Sequence, residues 1–261
     1  MKATLITGAS SGIGEEFARR LAAEKHDLVL VARSENALHE LCDELMLEHE
    51  ITAHYVALDL TQDEADQRLL DETEKHGFEI DWLINNAGFG AYGDFAKLDL
   101  ANEKRMIDLN IRALIALTHR YLPAMRERKS GTIINVSSAA GFQPIPFLAN
   151  YSATKAFVNS FSEAIAEENR PYNIKVLALC PGSTKTNFQK VAGMEDALQV
   201  KGQQTAEEVV DTALKAVRSG RTKVVSGWSN YLVSVLVGFV PNRAITWALA
   251  RGIRASYQGK E

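Results

Sequence analysis

The sequence predicts an α/β fold, a doubly wound parallel sheet of seven strands with helices on both faces, forming three layers in a single domain. Seven short apolar runs alternate with longer charged stretches of helical periodicity. The runs are apolar on both faces, as strands are in a parallel sheet covered by helices. The strands are predicted over residues 3–7, 27–31, 53–58, 82–85, 132–136, 174–179 and 222–225, and the helices over 12–25, 35–49, 61–76, 100–129, 151–169 and 205–219.

Composition narrows the class of protein. The chain has 261 residues, enough to bury a core without a disulfide or metal. Its net charge of −4 argues against nucleic acid as a partner. Cys42 and Cys180 lie in apolar surroundings and are expected to be buried thiols in a reducing compartment. The N-terminus runs directly into a strand without the apolar segment of a signal peptide, so a cytoplasmic location is expected.

The first predicted strand ends in a glycine-rich turn that opens into a helix. The segment reads Thr7-Gly8-Ala9-Ser10-Ser11-Gly12-Ile13-Gly14. Glycines at this point let the backbone approach a pyrophosphate, and the N–H groups at the start of the helix face the phosphates. The spacing Gly-x-x-x-Gly-x-Gly differs from the general dinucleotide fingerprint. Taken alone, the segment is also compatible with a plain structural turn.

Three further motifs follow this turn along the sequence. They are Asn85-Asn86-Ala87-Gly88, Tyr151-Ser152-Ala153-Thr154-Lys155 and Pro181-Gly182. In order and spacing, the four motifs resemble those of the short-chain dehydrogenase/reductase family, over about residues 1–225. The resemblance implies a Rossmann-type fold and hydride transfer between a nicotinamide cofactor and a carbonyl or secondary alcohol.

The end of the second strand indicates NADP(H) as the cofactor. An NAD-preferring site needs a carboxylate there to accept hydrogen bonds from the ribose 2′-hydroxyl, and none precedes Glu35, which is expected on the helix. Arg33 offers a permanent cation with a planar donor group that suits a 2′-phosphate, and Ser34 adds a hydroxyl. The alternative is that Arg33 is a solvated loop charge that stacks on adenine.

The resemblance assigns the other cofactor contacts. Asp59 and Leu60 match the pair beside adenine, although Asp59 also suits the N-terminal cap of a helix starting near Thr61. The full set expected to bind the cofactor is Gly8, Ser10, Ser11, Gly12, Ile13, Gly14, Arg33, Ser34, Asp59, Leu60, Asn86, Ala87, Gly88, Tyr151, Lys155, Pro181, Gly182, Thr184 and Thr186.

Tyr151 and Lys155 are the central catalytic candidates. They are four residues apart in a predicted helix, so both project from one face. A phenol with its ordinary pKa of about 10 is a weak acid at neutral pH, and a nearby ammonium is expected to lower that pKa. Alone, the pair is more typical of an amphipathic helix surface. Ser138 lies 13 residues before Tyr151, as the family pattern requires, and is expected to hold the substrate oxygen. The resemblance adds Asn110, which would hold a water that relays protons to Lys155.

The resemblance implies that substrate recognition lies in the loop after the fifth strand, in a flap near residues 183–203 and in the C-terminal tail. The candidates are Phe142, Gln143, Phe147 and Phe188, together with Ser138. Their apolar character favours a hydrophobic carbonyl compound, although part of this set is also compatible with ordinary core packing. The histidines show no ligand spacing tied to the site, so no metal is expected.

The chain is predicted to divide into a catalytic domain, residues 1–227, and an atypical extension, residues 228–261. Residues 224–242 carry no charge, and the apolar part over 231–240 is shorter than the roughly 20 residues that span a bilayer. Arginines mixed with apolar residues follow. The extension is compatible with a lid over the substrate, a subunit contact or an amphipathic helix on a membrane surface.

These expectations describe an NADP-dependent reductase of a hydrophobic ketone. One alternative is a 3-oxoacyl-thioester reductase that docks an acidic carrier protein on Arg126, Arg128 and Lys129. Another is an NADPH-sensing interaction protein without turnover, against which the complete catalytic set argues. The family's usual pairing through the long helices implies a homodimer or homotetramer, with the dimer preferred because the extension occupies the region of tetramer contacts.

Overall fold

The protein is described by a computed structural model over residues 1–193 and 203–258. Seven parallel strands form one sheet in the order β3-β2-β1-β4-β5-β6-β7, which confirms the predicted fold class. The strands are β1 (Lys2–Thr7), β2 (Asp27–Ala32), β3 (Ala53–Ala57), β4 (Glu79–Asn85), β5 (Gly131–Val136), β6 (Ile174–Cys180) and β7 (Lys223–Val225). The helices are α1 (Gly12–Ala23), α2 (Glu35–His49), α3 (Ala65–Lys75), α4 (Leu100–Ile107), α5 (Leu114–Arg128), α6 (Ala149–Asn169), α7 (Phe188–Val191), α8 (Ala206–Arg218), α9 (Trp228–Leu236) and α10 (Asn242–Gln258).

The core consists of two apolar layers, one on each face of the sheet. Consecutive strand residues point to opposite faces. Ile6 packs in the layer that contains side chains of α1, α2 and α8, whereas Leu5 packs in the layer that contains side chains of α3, α5 and α6. The strand order reverses between β1 and β4, so the carboxyl ends of these two strands meet at the switch point where such sheets bind ligands.

Two predicted helices differ from the structure. The helix expected from residue 61 begins at Ala65, because Glu64 takes a left-handed φ of 58° that no helix continues. The helix expected over 100–129 is α4 and α5 joined by a π-helical turn, Asp108–Ala113. The helix expected from residue 205 has Thr205 as its N-cap, with a complete capping box to Glu208. No helix in the described ranges is both long and apolar enough to cross a membrane.

Candidate active site

The glycine-rich turn after β1 is held against the end of β4. Asn86 Nδ2 donates hydrogen bonds to the carbonyl oxygens of Thr7 and Gly8, at 2.9 and 3.1 Å. Gly8 has a φ of 66°, and a Cβ placed there would lie 2.9 Å from Asn86 Nδ2. A Cβ on Gly14 would overlap the Gly8 carbonyl oxygen. The turn is therefore too tightly packed for side chains at these two positions.

The start of α1 has the character of a phosphate site. Ser11 is the N-cap residue, and its side chain makes no capping hydrogen bond. The N–H groups of the first helical turn lack partners within the helix and carry its positive dipole end. Ser10 is half-buried and Ser11 is exposed. Because a glycine cradle opens directly onto these donors, the residues present fit the pyrophosphate of a dinucleotide.

A second loop closes on this turn from the carboxyl end of β6. Thr186 lies beside Gly12, since a Cβ on that glycine would be 3.0 Å from Thr186 Cγ2. Pro181 accepts a hydrogen bond from Ala139 N at 2.7 Å, which ties the loop to the residue after Ser138. Thr184 Oγ1 donates to the Gly182 carbonyl at 3.1 Å. This loop therefore spans the distance between the candidate phosphate site and the candidate catalytic serine.

Arg33 and Ser34 follow β2 and are exposed. Within the described residues, Arg33 has no hydrogen-bond or ion-pair partner, but its charge acts on the nearby Asp59. The pKa of Asp59 is lowered overall. Burial raises it, but the hydrogen bonds from Thr61 together with the charges of Arg33 and Arg105 lower it by more. An unpaired guanidinium at the carboxyl end of β2, the neighbour of β1, fits a 2′-phosphate.

Asp59 does not cap α3, contrary to one of the two expectations for it. Its Oδ1 accepts hydrogen bonds from the N–H and the hydroxyl of Thr61, at 3.0 and 2.8 Å, in a turn that precedes the helix. Leu60 beside it is buried in the apolar layer under α3 and α5. Ile13 packs partly buried against the opposite layer. Leu60 thus anchors the loop after β3 and Ile13 anchors the first turn of α1, while Asp59 orders the turn that precedes α3.

Asn110 lies in the π-helical turn between α4 and α5. Its side chain is buried and both of its polar atoms are hydrogen-bonded: Oδ1 accepts from Phe89 N at 3.1 Å, and Nδ2 donates to Phe89 O at 2.9 Å and to Thr154 Oγ1 at 3.1 Å. Oδ1 keeps a lone pair for one further hydrogen bond. A Cβ on Gly88 would be 2.9 Å from Asn110 Oδ1 and 3.5 Å from Lys155 Nζ. The π turn therefore places Asn110 close to Lys155, with Gly88 between them.

Tyr151 and Lys155 project from α6 toward the ends of β4 and β5, and both are buried. Lys155 Nζ donates to the Val136 carbonyl at 2.8 Å and lies 5.9 Å from the centre of the Tyr151 ring. Ser138 follows β5, where its Oγ accepts from Ala140 N at 3.1 Å. A hydrogen bond with the Ser138 side chain also acts on the Tyr151 hydroxyl. The fold thus brings the four catalytic candidates into one cluster, hereafter the catalytic cluster (Asn110, Ser138, Tyr151 and Lys155).

Burial determines the protonation of this cluster. It raises the pKa of Tyr151 to about 12, against a smaller lowering by the Ser138 hydrogen bond. It also lowers the pKa of Lys155 to about 8. The expected lowering of the tyrosine pKa by the lysine is therefore contradicted: burial outweighs every other influence on Tyr151, while Lys155 Nζ donates to Val136 O. Tyr151 is therefore a neutral phenol at pH 7, the form that donates a proton.

Apolar side chains surround Tyr151. Its ring lies 5.2 Å from the ring of Phe188, in a cluster with Met106, Leu148 and Ala192. Phe147 takes a left-handed φ of 65°, and its ring lies 6.3 Å from that of Tyr92. These contacts build an apolar wall beside the Tyr151 ring. Residues 194–202 of the predicted flap lie outside the described residues.

The other two substrate candidates are placed differently. Phe142 lies outside the cluster around Tyr151, with Lys223 Nζ 5.6 Å from its ring centre. Gln143 Oε1 is buried and has no hydrogen-bond partner within the described part of the chain. A buried acceptor without a donor is costly, so Gln143 is the stronger candidate for a polar contact with a bound molecule.

A histidine cluster lies elsewhere, although no metal ligand set was expected. Ligand atoms of His54, Glu72 and His76 lie within 4.8 Å of one another, the only such group in the described residues. It is built from β3, α3 and the residue after α3, which contribute nothing to the catalytic cluster. Glu72 already accepts hydrogen bonds from Lys75 at 3.2 Å and pairs with His76 at 3.0 Å. These internal contacts engage Glu72 and His76, whereas His54 Nε2 is buried without a hydrogen-bond partner within the described residues.

Sequence reasoning missed several residues that position the site. Thr7 Oγ1 accepts the N–H groups of Asn86 and Ala87, each at 3.0 Å, and so joins β1 to β4. Asn230 of α9 packs so closely on Gly182 that a Cβ there would overlap its amide. Thr7 is the first residue of the glycine-rich segment, and its position at the strand end was an available signal for its positioning role. Asn230 follows no recognisable pattern, since its role depends on a contact with a distant part of the chain.

Comparison with known proteins identifies the protein family. A family model described as short chain dehydrogenase matches residues 2–197. The chain therefore belongs to the short-chain dehydrogenase/reductase family of oxidoreductases. It is 32% identical over 247 residues to the very-long-chain 3-oxoacyl-CoA reductase of Macaca fascicularis, covering 93% of this chain and 75% of that protein.

Two further relatives are informative. The chain is 32% identical to the ketoacyl reductase HetN of a Nostoc species, over 86% of this chain and 78% of that one. Among solved structures, a short-chain dehydrogenase from Sphingobium yanoikuyae in complex with NADPH aligns with a TM-score of 0.81 at 33% identity, covering 86% of this chain and 87% of that chain.

Proposed function

We propose that this oxidoreductase uses NADPH to reduce a hydrophobic ketone to a secondary alcohol. The observation that carries the proposal is a buried, protonated Tyr151 that faces apolar side chains, beside a glycine-rich cradle with an unpaired Arg33. The cradle fits a pyrophosphate and the arginine fits a 2′-phosphate. The NADPH bound to the Sphingobium relative supports the same choice of cofactor.

Each catalytic residue has one task in this reaction. When bound, NADPH supplies the hydride that adds to the carbonyl carbon. Tyr151 donates its phenolic proton to the carbonyl oxygen, while the Ser138 hydroxyl donates a hydrogen bond to the same oxygen and stabilises its developing charge. Lys155 Nζ lies 5.9 Å from the centre of the tyrosine ring, and once the proton has left, its positive charge would favour the phenolate. Asn110 positions the helix around Lys155 and is the proposed holder of the water that returns the proton.

The remaining cofactor contacts are proposed on the same basis. Pro181 and Gly182 would lie by the nicotinamide, and Asn86, Ala87 and Gly88 along the ribose. Thr184 and Thr186 would serve the carboxamide and the phosphates, because their loop joins the glycine cradle to the serine.

A narrower candidate substrate is a 3-oxoacyl thioester with a long acyl chain. The names of two relatives, a very-long-chain 3-oxoacyl-CoA reductase and a ketoacyl reductase, favour it. Docking of a carrier protein is less well supported. Arg126 donates to Asn169 at 2.6 Å and lies over the Tyr172 ring, and Arg128 donates to the Ile80 carbonyl at 2.9 Å. Because both arginines make internal contacts, a coenzyme A thioester is the better first substrate.

The cofactor proposal is tested by calorimetric titration with NADPH and NADH. Arg33→Ala is expected to weaken NADPH binding roughly 10- to 100-fold, the loss of one charge-assisted phosphate contact of about 1.5–3 kcal/mol, and to leave NADH binding unchanged. Arg19→Ala is the matched control, because Arg19 is a partly exposed arginine that pairs with Glu15 and Glu44 on the outer surface. Equal affinity of the wild type for both cofactors would refute the preference.

The substrate proposal is tested by following NADPH consumption with 3-oxoacyl thioesters of increasing chain length and with a small charged ketone. We expect kcat/KM to rise with acyl length, because each buried methylene contributes about 0.8 kcal/mol. Phe188→Ala should flatten this dependence. A preference for the small charged ketone would exclude the hydrophobic class.

The assembly proposed is a homodimer through α5 and α6. Ile115 on α5 is exposed, and Phe157 and Phe161 stack at 5.7 Å on α6. Sedimentation velocity of the whole protein measures the assembly, and Ile115→Glu is expected to shift a dimer to the monomer.

A further inference from the structure

The C-terminal segment (residues 228–258) exposes apolar side chains in unusual number. Nine of the 17 exposed large hydrophobic residues in the described parts of the chain lie within residues 228–247, whereas the other eight are scattered from residue 1 to residue 191. Single exposed hydrophobic residues are ordinary, but a contiguous set marks an interaction surface. The nine are Trp228, Tyr231, Leu232, Val233, Val235, Leu236, Phe239, Val240 and Trp247.

The charges of the same segment are all positive. Its charged side chains are Arg243, Arg251 and Arg254, and the sequence has no aspartate or glutamate from residue 212 to residue 260. All three arginines are exposed, and the guanidinium of Arg251 lies 4.7 Å from the ring centre of Trp247. The surface therefore combines aromatic and aliphatic side chains with cations that have no carboxylate partner within the segment.

The two faces of α10 are distinct. Ile245 and Ile253 are buried, eight residues apart on one face, which anchors the helix on the protein. Arg243, Trp247 and Arg251 follow each other at intervals of four and are exposed on another face. Tryptophan and arginine are typical of helices that lie in the interface between headgroups and acyl chains.

We propose that the C-terminal segment binds the surface of an anionic phospholipid bilayer. Neither α9 nor α10 is long and apolar enough to cross a membrane, so the proposal concerns its surface. The apolar side chains of α9 would enter the headgroup region, and the three arginines would contact the anionic headgroups. A second copy of this chain is the less suitable occupant, because a two-fold pairing would bring the arginines of both copies together without a carboxylate from either segment.

The surface adjoins the candidate active site. Asn230 of α9 packs on Gly182 and Gly227, and its Nδ2 donates to Ser226 O at 2.8 Å. A membrane contact here would place the loop after β6 near the lipid. The binding proposal rests on the exposed segment alone and holds whatever ketone the enzyme reduces.

The test is co-sedimentation of the whole protein with vesicles of phosphatidylcholine alone and of phosphatidylcholine with phosphatidylglycerol. We expect binding to the anionic vesicles that weakens as salt is raised. Replacement of Arg243, Arg251 and Arg254 by glutamine should lower the affinity about 100-fold, roughly fivefold for each charge. The matched control replaces three exposed arginines outside the segment, Arg68, Arg112 and Arg170, and is expected to bind as the wild type does.

A second pair of variants tests the apolar contribution. Phe239→Ser should weaken vesicle binding about tenfold or more, because a phenylalanine side chain loses its burial in lipid. Phe95→Ser is the control, since Phe95 is also exposed but lies outside the segment. NADPH binding by each variant verifies that it is folded. No binding to anionic vesicles, or self-association through these residues without vesicle binding, would overturn the proposal.

Discussion

The catalytic cluster and the C-terminal segment differ most in burial. Asn110 and Lys155 are 2% and 5% exposed, and each makes hydrogen bonds, whereas Trp228 and Phe239 are 73% and 83% exposed. Buried polar groups are costly unless they are paired, so the fold must place the cluster accurately. Exposed apolar groups gain nothing from the fold around them. The comparison teaches that internal pairing constrains the reacting groups, whereas nothing in the fold constrains the exposed apolar groups of the segment, as expected of a surface that binds a partner.

The largest expected effect tests whether the cluster reacts. Tyr151→Phe removes the proton donor and should lower kcat by about 10³-fold or more, while the affinity for NADPH stays near that of the wild type. Steady-state kinetics and calorimetric titration measure the two quantities.

Tyr121→Phe is the matched control for this change. Tyr121 is also buried, and its hydroxyl lies 3.2 Å from Thr73 Oγ1 within the apolar core. Its loss should cost about 1 kcal/mol of stability and leave kcat unchanged. Turnover by Tyr151→Phe within tenfold of the wild type would show that another group donates the proton.

The next effect concerns the glycine cradle. In Gly14→Ala, the added Cβ overlaps the Gly8 carbonyl oxygen, so the turn has to move. Overpacking of this kind costs about 1–3 kcal/mol, and the displaced turn should bind NADPH at least tenfold more weakly. Urea unfolding and titration measure both losses. Wild-type affinity in Gly14→Ala would mean that the cradle does not bind the cofactor.

The fold could be predicted because its signals are local, and so could the shared face of Tyr151 and Lys155, whereas Ser138 and Asn110 were candidates through the family resemblance. The seven apolar runs locate the strands, and the tyrosine and lysine lie four residues apart on one helix. The π turn around Asn110 was not predictable, since the apolar periodicity of 100–129 does not distinguish one wider turn from an uninterrupted helix. Arg105, which lies 3.8 Å from Asp59, was missed because nothing in α4 points to a residue 46 positions earlier.

The protonation of Tyr151 is a second property that the local sequence did not predict. The spacing of Tyr151 and Lys155 predicts a lowered tyrosine pKa, and the structure shows a raised one. Burial is the dominant cause, and it depends on how Phe188 and the loop after β4 cover the ring. A contact between distant segments decides the sign, so the local pattern was insufficient.

Deprotonation of Lys155 is expected to lower kcat/KM for NADPH about tenfold per pH unit. Its pKa of about 8 means that the ammonium is charged below pH 8 and neutral above it. The value of kcat/KM for NADPH, which reports the free enzyme, should therefore fall about tenfold per unit above that pH as the cation is lost. Tyr151, with a pKa of about 12, stays protonated through this range.

The variant Lys155→Arg tests whether the titration of Lys155, and not that of Tyr151, causes the decline in kcat/KM. Arginine remains charged, so a decline caused by Lys155 should disappear from the pH profile of this variant even where its maximal rate is lower. A wild-type profile that stays level to pH 10 would contradict the lowered lysine pKa.

The smallest expected effect is a change in stability, and it tests whether the C-terminal segment unfolds together with the sheet. Gly252 lies inside α10, and a Cβ there would meet nothing within 4 Å. Alanine is favoured over glycine in a helix interior by about 0.5–1 kcal/mol. Because buried Ile245 and Ile253 attach α10 to the protein, Gly252→Ala should raise the global free energy of unfolding by that amount and leave catalysis unchanged. Urea unfolding measures the gain, and hydrogen exchange follows α10 separately. Slower exchange in α10 without a global gain would show that the helix opens independently, and that only the cluster, not the segment, belongs to the cooperative fold.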